Sequence, residues 1–152
     1  TDLLDVKKLA DPRKAEMKDR INSMIKYRES YRPFAPATLV ETAEKFFDVD
    51  ASYRSPYMEK VCQVREEYQR VIPAITHVDG SARLQTVCES ENPAFYQIIK
   101  KFGQLTGVPV VLNTSFNINN EPIVLSPDDA ISTFFNSGLT HLAVGNYLVT
   151  KS

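Results

Sequence analysis

The clearest hydrophobic pattern lies in the last third of the chain, where apolar positions alternate between helical and strand-like spacing. Asn92-Pro93 begins a segment with apolar residues three and four apart, which predicts a helix that ends at Gly107. The apolar run from Val108 to Leu112 predicts a strand buried on both faces. Ser126-Pro127 begins a second predicted helix, and Leu142 to Val149 is predicted to be the final strand. The predicted core faces of the two helices are Phe95, Ile98, Ile99, Phe102 and Leu105, and Ala130, Ile131, Phe134 and Phe135.

A turn signal at Asp79-Gly80 precedes another predicted strand, Ala82 to Val87. With it, the order becomes strand, helix, strand, helix, strand. That order predicts a single α/β domain whose sheet is at least partly parallel.

The first half of the chain carries weaker patterns. Asp11-Pro12 predicts a helix start, and apolar spacing continues to about Tyr27. Residues 33–40 contain two prolines, which predicts an extended segment at a sheet edge, followed by a short helix over residues 41–47. Residues 58–64 are predicted to form a strand with Val61 and Cys62 in the core.

Composition narrows the class of protein. The chain has 152 residues, a hydrophobic fraction of 43% and a net charge of −1, which fits one compact domain without a basic field for nucleic acid or anionic lipid. Cys62 and Cys88 form no CxxC pair, and with two histidines the chain lacks a zinc-ligand pattern. Reduced thiols in a cytoplasmic protein are therefore expected. No apolar run approaches the ~20 residues of a membrane span, and the first 20 residues do not resemble a signal peptide.

Three polar clusters are candidates for chemistry. The segment 113–117, just past the buried strand, offers Asn113, Ser115 and Asn117 as hydrogen-bonding groups, although such residues also bond their own backbone in turns. The segment 26–32 places three cations, suited to phosphate or carboxylate oxygens, at a predicted helix end, where cations also sit solvated. The segment 77–83 carries His77 and Arg83, of which the histidine alone is more typical of a packed residue. Walker A and GxGxxG loops are missing from the sequence.

Seven runs of the sequence are informative when taken together: LADPRKAEMKDRIN, KYRESYRPFAPATL, SPYM, PAITHVDGSARLQTV, NPAFYQIIKKFGQLTGVPVVLNTSFN, EPIVLSPDDAISTF and GNYLVTK. These runs resemble the C-terminal, YrdC-like domain of the NodU/CmcH-type O-carbamoyltransferases. The similarity covers about residues 9–151, and residues 1–8 are interpreted as a linker or tail before a domain of residues 9–152. The resemblance implies an α/β fold with a YrdC-like twisted mixed sheet and flanking helices.

The resemblance also implies a set of site residues. The larger YrdC-like group holds ATP and its carbamoyl-bearing substrate with Lys-x-Arg and Ser-x-Asn elements, which here are Lys26-x-Arg28 and Ser115-x-Asn117. Residues expected to bind substrate or nucleotide are Lys26, Arg28, Arg32, His77, Arg83, Asn113, Ser115 and Asn117. Of these, Lys26, Arg32, Arg83 and Ser115 are expected to act in catalysis, and all of them are expected to share one cleft. One departure from the family is Asn119-Asn120, where a glycine is frequent.

The implied reaction converts carbamoyl phosphate and ATP into carbamoyl-adenylate with release of pyrophosphate, with Mg²⁺ accompanying ATP. The family's N-terminal half, an actin-like domain with its own metal, transfers the carbamoyl group to a hydroxyl acceptor and is expected as the partner within the same polypeptide. Two alternatives stay open: a module that binds carbamoyl phosphate or nucleotide but is inactive in isolation, and an RNA-binding YrdC-like domain. The pI near 6.1 argues against the second.

Overall fold

The computed structural model describes residues 7–23, 34–118 and 121–151. Its strands are β1 (Lys7–Ala10), β2 (Ala35–Leu39), β3 (Lys60–Gln63), β4 (Ser81–Val87), β5 (Val110–Ser115), β6 (His141–Val144) and β7 (Tyr147–Thr150). Its α-helices are α1 (Glu16–Ile21), α2 (Ala43–Phe46), α3 (Glu66–Gln69), α4 (Pro93–Thr106) and α5 (Pro127–Phe135), with short 3-10 helices at Val40–Thr42 and Pro73–Ile75.

Five strands form a mixed sheet in the order β1-β5-β2-β4-β3, and β6 and β7 form a second, two-stranded sheet. Strand β2 runs parallel to β4 and antiparallel to β5, while β3 runs antiparallel to β4. The predicted α/β class, with a mixed, partly parallel sheet and flanking helices, is confirmed. The arrangement is consistent with a YrdC-like fold.

The chain divides into two compact units. The sheet unit consists of residues 9–18 and 33–113, and the C-terminal unit consists of residues 1–8, 19–32 and 114–152. Lys7 and Lys8 belong to strand β1, so the part of the predicted tail that the structure describes is extended backbone. The predicted domain boundary at residue 9 stays a prediction.

Helix α4 packs on the central strands of the sheet unit. Asn92 accepts a hydrogen bond from the backbone N–H of Phe95 (3.1 Å), and Gly107 ends the helix at φ 76°, so the predicted start and end are confirmed. The apolar cluster beneath the helix consists of Ala37, Leu39, Val87, Phe95, Tyr96, Ile99 and Val111. The predicted core face is too wide, because Ile98 and Leu105 are exposed.

Strand β2 is central, and the prediction of a sheet edge is wrong. All five of its residues are buried between β4 and β5. Pairing with β4 begins at Ala37, one residue after Pro36. The N–H group that proline lacks is therefore not needed for a hydrogen bond to β4, and proline is tolerated at this position. The short helix predicted after this strand is confirmed as Val40–Thr42 followed by α2.

Strand β3 lies at the sheet edge, and this overturns the prediction that Val61 belongs to the core. The side chain of Val61 is 63% exposed, whereas Cys62 is half-buried. Side chains alternate along a strand, so Val61 and Cys62 point to opposite faces of the sheet, and the face of Val61 is open. Cys62 and Cys88 are both free thiols, as predicted, although neither is fully buried. Burial raises the pKa of the Cys62 thiol to about 11.

Helix α1 begins later than predicted. The carboxylate of Asp11 accepts a hydrogen bond from the backbone N–H of Arg13 (3.0 Å) and pairs with its guanidinium, so it closes a turn instead of capping a helix. The helix itself starts at Glu16. The predicted continuation to about Tyr27 passes beyond Ser23, the last described residue before residue 34.

The C-terminal unit is built around α5. Ser126 and Asp129 form a capping box, in which each side chain accepts a backbone N–H of the other residue. The core of this unit consists of Phe116, Val124, Ala130, Phe134 and Leu142. Ile131 and Phe135, predicted to be core, are exposed, because only one narrow stripe of α5 faces that cluster.

The predicted final strand is two strands. Gly145, at φ 56°, turns the chain so that β7 folds back antiparallel on β6. The Gly145-Asn146 pair is a hairpin signal that explains the break. Within the described part of the chain, no helix is long and apolar enough to cross a membrane.

Candidate functional site

Three of the predicted site residues lie outside the described part of the chain. Lys26, Arg28 and Arg32 all fall within residues 24–33. Their expected roles, and the expected shared cleft, stay predictions. The remaining five residues lie in the described part of the chain.

In the C-terminal unit, Ser115 and Asn117 form a hydrogen-bonded turn. Ser115 Oγ donates to Asn117 Oδ1 (2.7 Å), and the backbone N–H of Asn117 donates to the carbonyl of Ser115 (3.2 Å). The amide of Asn117 in turn donates to the carbonyl of Glu121 (2.7 Å). The Ser-x-Asn element is therefore one connected unit, whose two polar side chains meet directly.

The position of this turn differs from the prediction of a loop over residues 113–117. Strand β5 continues through Ser115, so Asn113 and Thr114 are strand residues and both are buried. Asparagine is depleted in strands, and the ladder to β2, which reaches Asn113, overrides that tendency.

Lys8 is a residue of this unit that sequence reasoning missed. Its side chain is only 4% exposed, although lysine is almost never fully buried without a partner. The ammonium Nζ donates to the backbone carbonyl of Asn117 (2.6 Å) and lies 5.6 Å from the centre of the Phe116 ring. No sequence pattern around this lysine distinguishes it from a solvated one, so the contact could not be predicted.

In the sheet unit, Arg83 is the third residue of β4, which begins one residue earlier than predicted, and its side chain is exposed. Alternation along a strand places Arg83, Gln85 and Val87 on one face of the sheet. Val87 packs against α4, so Arg83 lies on the α4 side of the sheet. An exposed guanidinium on a rigid strand is available to an anionic ligand.

Asn113 is 2% exposed and is held by a glutamine that sequence reasoning also missed. Asn113 Nδ2 donates to Gln85 Oε1 (2.6 Å), and Gln85 Nε2 donates to the carbonyl of Pro56 (2.8 Å). The bond joins β5 to β4 across β2, where the intervening residues are Ala35 and Ala37. Their small side chains leave the space that the two amides span. Gln85 carried no signal in the sequence, because only the pairing of β2 with both strands brings it near Asn113.

His77 lies in the turn before β4. Ser81 Oγ donates to Asp79 Oδ1 (2.7 Å) and lies 2.9 Å from His77 Nδ1. Because the single hydroxyl proton of Ser81 goes to Asp79, Nδ1 is the donor to Ser81 Oγ and Nε2 carries no proton. Nε2 is buried, and among the described residues it has no hydrogen-bond partner.

Burial lowers the pKa of His77, and the attraction of the Asp79 carboxylate opposes that effect. The positive charges of Arg83 and Lys18 lower the pKa further. His77 is therefore favoured as a neutral imidazole within a locally cationic part of the sheet unit. Among the described residues, no group of three or more His, Cys, Asp or Glu could hold a metal ion.

Comparisons with known proteins agree with the sequence motifs. A family model described as "Carbamoyltransferase C-terminus" matches residues 7–151. Nodulation protein NolO of Bradyrhizobium diazoefficiens is 55% identical over 144 residues, which cover 94% of this chain and 26% of that protein. The 3'-hydroxymethylcephem-O-carbamoyltransferase of Amycolatopsis lactamdurans is 41% identical over 138 residues, which cover 91% of this chain and 26% of that protein. The chain thus spans about a quarter of the length of the curated relatives it matches.

Proposed function

The chain belongs to the carbamoyltransferase C-terminus family, and on that premise we propose that it makes the activated carbamoyl group of an O-carbamoyltransferase. The observation that carries the proposal is the family match over residues 7–151, which includes every site residue predicted from the sequence motifs. A relative named for O-carbamoyl transfer, 41% identical to this chain, supports the same class of reaction.

The proposed reaction is an adenylation. Carbamoyl phosphate, ATP and one water give carbamoyl-adenylate, pyrophosphate and phosphate. Water first cleaves the phosphorus–oxygen bond of carbamoyl phosphate, which gives carbamate and phosphate. A carbamate oxygen then forms a bond to the α-phosphorus of ATP, and the bond between the α- and β-phosphates breaks to release pyrophosphate. The charge that builds up during this step lies on phosphate oxygens, so catalysis depends on positioned cations more than on proton transfer.

The cations proposed for this work are Lys26, Arg28, Arg32 and Arg83. Arginine forks match phosphate oxygens in pairs, and lysine adds a compact positive charge. The exposure of Arg83 on a strand supports its availability to a ligand. Neutral His77 would contribute hydrogen bonding without adding a further positive charge.

Ser115, Asn117 and Asn113 are proposed to orient the substrates by hydrogen bonds. The Ser115–Asn117 bond and the buried Lys8 contact support this role, since a turn tied at several points holds its polar atoms in fixed directions. Mg²⁺ would enter bound to the phosphate oxygens of ATP and neutralise part of their charge.

The rest of the family architecture is also part of the proposal. The relatives are about four times as long as this chain, which leaves room for the expected actin-like domain that passes the carbamoyl group to a hydroxyl acceptor. That domain would carry the acceptor site and its own metal.

Pyrophosphate release tests the proposal directly. The 152-residue chain is incubated with ATP, Mg²⁺ and carbamoyl phosphate, and pyrophosphate is measured with and without carbamoyl phosphate. Release that requires both substrates supports the adenylation. Binding of both substrates by titration calorimetry without release would favour a module that is inactive in isolation, and binding of RNA alone in a low-salt gel shift would favour the YrdC-like RNA-binding alternative.

A further inference from the structure

The orientation of the Asn113 side-chain amide is determined by a backbone carbonyl two hydrogen bonds away. The carbonyl of Pro56 can only accept, so the Gln85 amide must turn its Nε2 toward it. That leaves Gln85 Oε1 directed at Asn113, and an oxygen there can only accept. Asn113 must therefore present Nδ2 to Gln85. The chemistry of the chain Pro56–Gln85–Asn113, and not the assignment of amide atoms, fixes each orientation.

The consequence is that Asn113 has only an oxygen left to offer. Within the described residues, Asn113 Oδ1 accepts no hydrogen bond, although the residue is 2% exposed. A side-chain carbonyl oxygen can only accept a hydrogen bond, so a ligand that carries an N–H donor is its natural complement. Phosphate oxygens are acceptors and would be repelled by Oδ1. An N–H group would be attracted.

The neighbouring residues supply a complementary site for an anion. On one side of β2, Asn113 pairs with Ala35. On the other side, Ala37 pairs with Gln85 in a parallel register, which places Arg83 level with Ala35. The backbones of Asn113 and Arg83 are thus two strand spacings apart, roughly 10 Å, with only an alanine between them. Both residues lie on the same face of the sheet, at a separation that one small ligand can bridge.

From this geometry we infer that Asn113 Oδ1 accepts a hydrogen bond from the carbamoyl NH₂ group, and that Gln85 is the positioning residue that keeps Oδ1 available. The ligand class is a phosphorylated carboxamide, with its amino group on Asn113 and its phosphate toward Arg83. The inference rests on the proposed function and deepens it, because it explains how a carbamoyl group is told apart from an acyl group of the same size.

Acetyl phosphate is the matched probe, since a methyl group replaces the NH₂ group. Titration calorimetry on the 152-residue chain should give an affinity for carbamoyl phosphate roughly tenfold or more above that for acetyl phosphate, the effect of one hydrogen bond in a largely buried site. In Asn113→Ala the two affinities should become similar. In Gln85→Met the ratio should fall as well, because the Asn113 amide is free to rotate. Gln63→Met, an exposed glutamine on the edge strand β3, should keep the wild-type ratio.

Equal wild-type affinities for the two phosphates would overturn the inference while leaving the proposed function intact. So would an undiminished preference in Asn113→Ala. If the wild-type chain binds neither carbamoyl phosphate nor ATP, the proposed function itself fails.

The adenine amino group is another N–H donor, so ATP is compared with purine riboside triphosphate, which lacks that group. The inference would also be contradicted if Asn113→Ala abolished the preference for ATP over purine riboside triphosphate but kept the preference for carbamoyl phosphate over acetyl phosphate. If Asn113→Ala unfolds, the ratio of the two affinities in Gln85→Met tests the inference instead, and an unchanged ratio would contradict it.

Discussion

The ammonium of Lys8 donates a hydrogen bond to the backbone carbonyl of Asn117, with 2.6 Å between Nζ and O. The lysine is buried, and the bond joins the first described strand to the Ser-x-Asn turn within the C-terminal unit. A buried ammonium is unfavourable unless it is bonded, so this contact fixes where both segments lie. The turn that carries Ser115 and Asn117 is therefore held by a residue more than a hundred positions earlier in the chain.

Replacing Lys8 should therefore affect stability. Lys8→Ala removes a charge-assisted hydrogen bond and leaves a gap beside Phe116, and we expect a loss of about 2 kcal/mol or more in the free energy of unfolding. Urea unfolding followed by circular dichroism measures it. Lys7→Ala, at the less buried neighbouring position, should cost clearly less. A loss below about 0.5 kcal/mol for Lys8→Ala would show that the contact contributes little.

The lowered pKa of His77 predicts a pH dependence of stability. Because the folded state disfavours the charged imidazole, the unfolded state binds more protons as the pH falls below the ordinary histidine pKa of 6.5. The contribution of neutral His77 is fully present above that pH and is lost as the pH falls toward the lowered pKa. We expect the urea midpoint to fall between about pH 7 and pH 5, and to fall less in His77→Asn. The exposed His141 provides the control, and His141→Asn should keep the wild-type dependence.

Arg83→Ala should reduce function without unfolding the protein. The side chain is exposed, so we expect the free energy of unfolding to change by no more than about 0.5 kcal/mol. Loss of one charge-assisted phosphate contact should lower substrate affinity by roughly 10- to 150-fold. Titration calorimetry and thermal melting measure the two effects. Arg70→Ala, another exposed arginine of the sheet unit, is the matched control. Loss of the cooperative melt in Arg83→Ala would instead identify Arg83 as a structural residue.

Lys26→Ala tests the Lys-x-Arg element, which lies outside the described residues. A lysine that neutralises phosphate should cost at least about tenfold in affinity for ATP or carbamoyl phosphate when removed, whereas a solvated lysine at a helix end contributes only ~0.3–1 kcal/mol to stability. We therefore expect a large change in the binding titration and a small change in melting temperature. Lys101→Ala, on the exposed side of α4, provides the comparison. If the affinity stays within about threefold of wild type, Lys26 is a solvated lysine at a helix end, and the assignment of Arg28 to phosphate binding is weakened as well.

Local signals in the sequence predicted the elements that depend on them. Helix α4 follows from Asn92-Pro93 at its start and Gly107 at its end, and α5 follows from the Ser126 capping box. The single strand predicted over residues 142–149 was wrong because the apolar run concealed the Gly145 turn. Such errors concern one residue in an otherwise continuous pattern.

Features that depend on pairing between distant segments could not be predicted from the sequence. Two prolines indicated an edge for β2, yet the pairing with both β4 and β5 makes it central. For the same reason Gln85 and Lys8 carried no signal, since each becomes a candidate only through a partner far along the chain. The motif residues Ser115, Asn117 and Arg83 lie in clusters that position and residue type already indicate, whereas their expected roles come from the family resemblance and stay predictions.

The central position of β2 has a consequence for the chain as it leaves the ribosome. All of its five residues are buried, but Leu39 pairs with Val87 and Thr38 with Val110, both synthesised long afterwards. One edge of this strand therefore stays open until β4 has emerged, and the other stays open until β5 has emerged. Non-local pairing of this kind slows folding and exposes strand edges to other chains. Truncated products that end before residue 110 should aggregate during translation, whereas the completed domain should remain monodisperse under the same conditions.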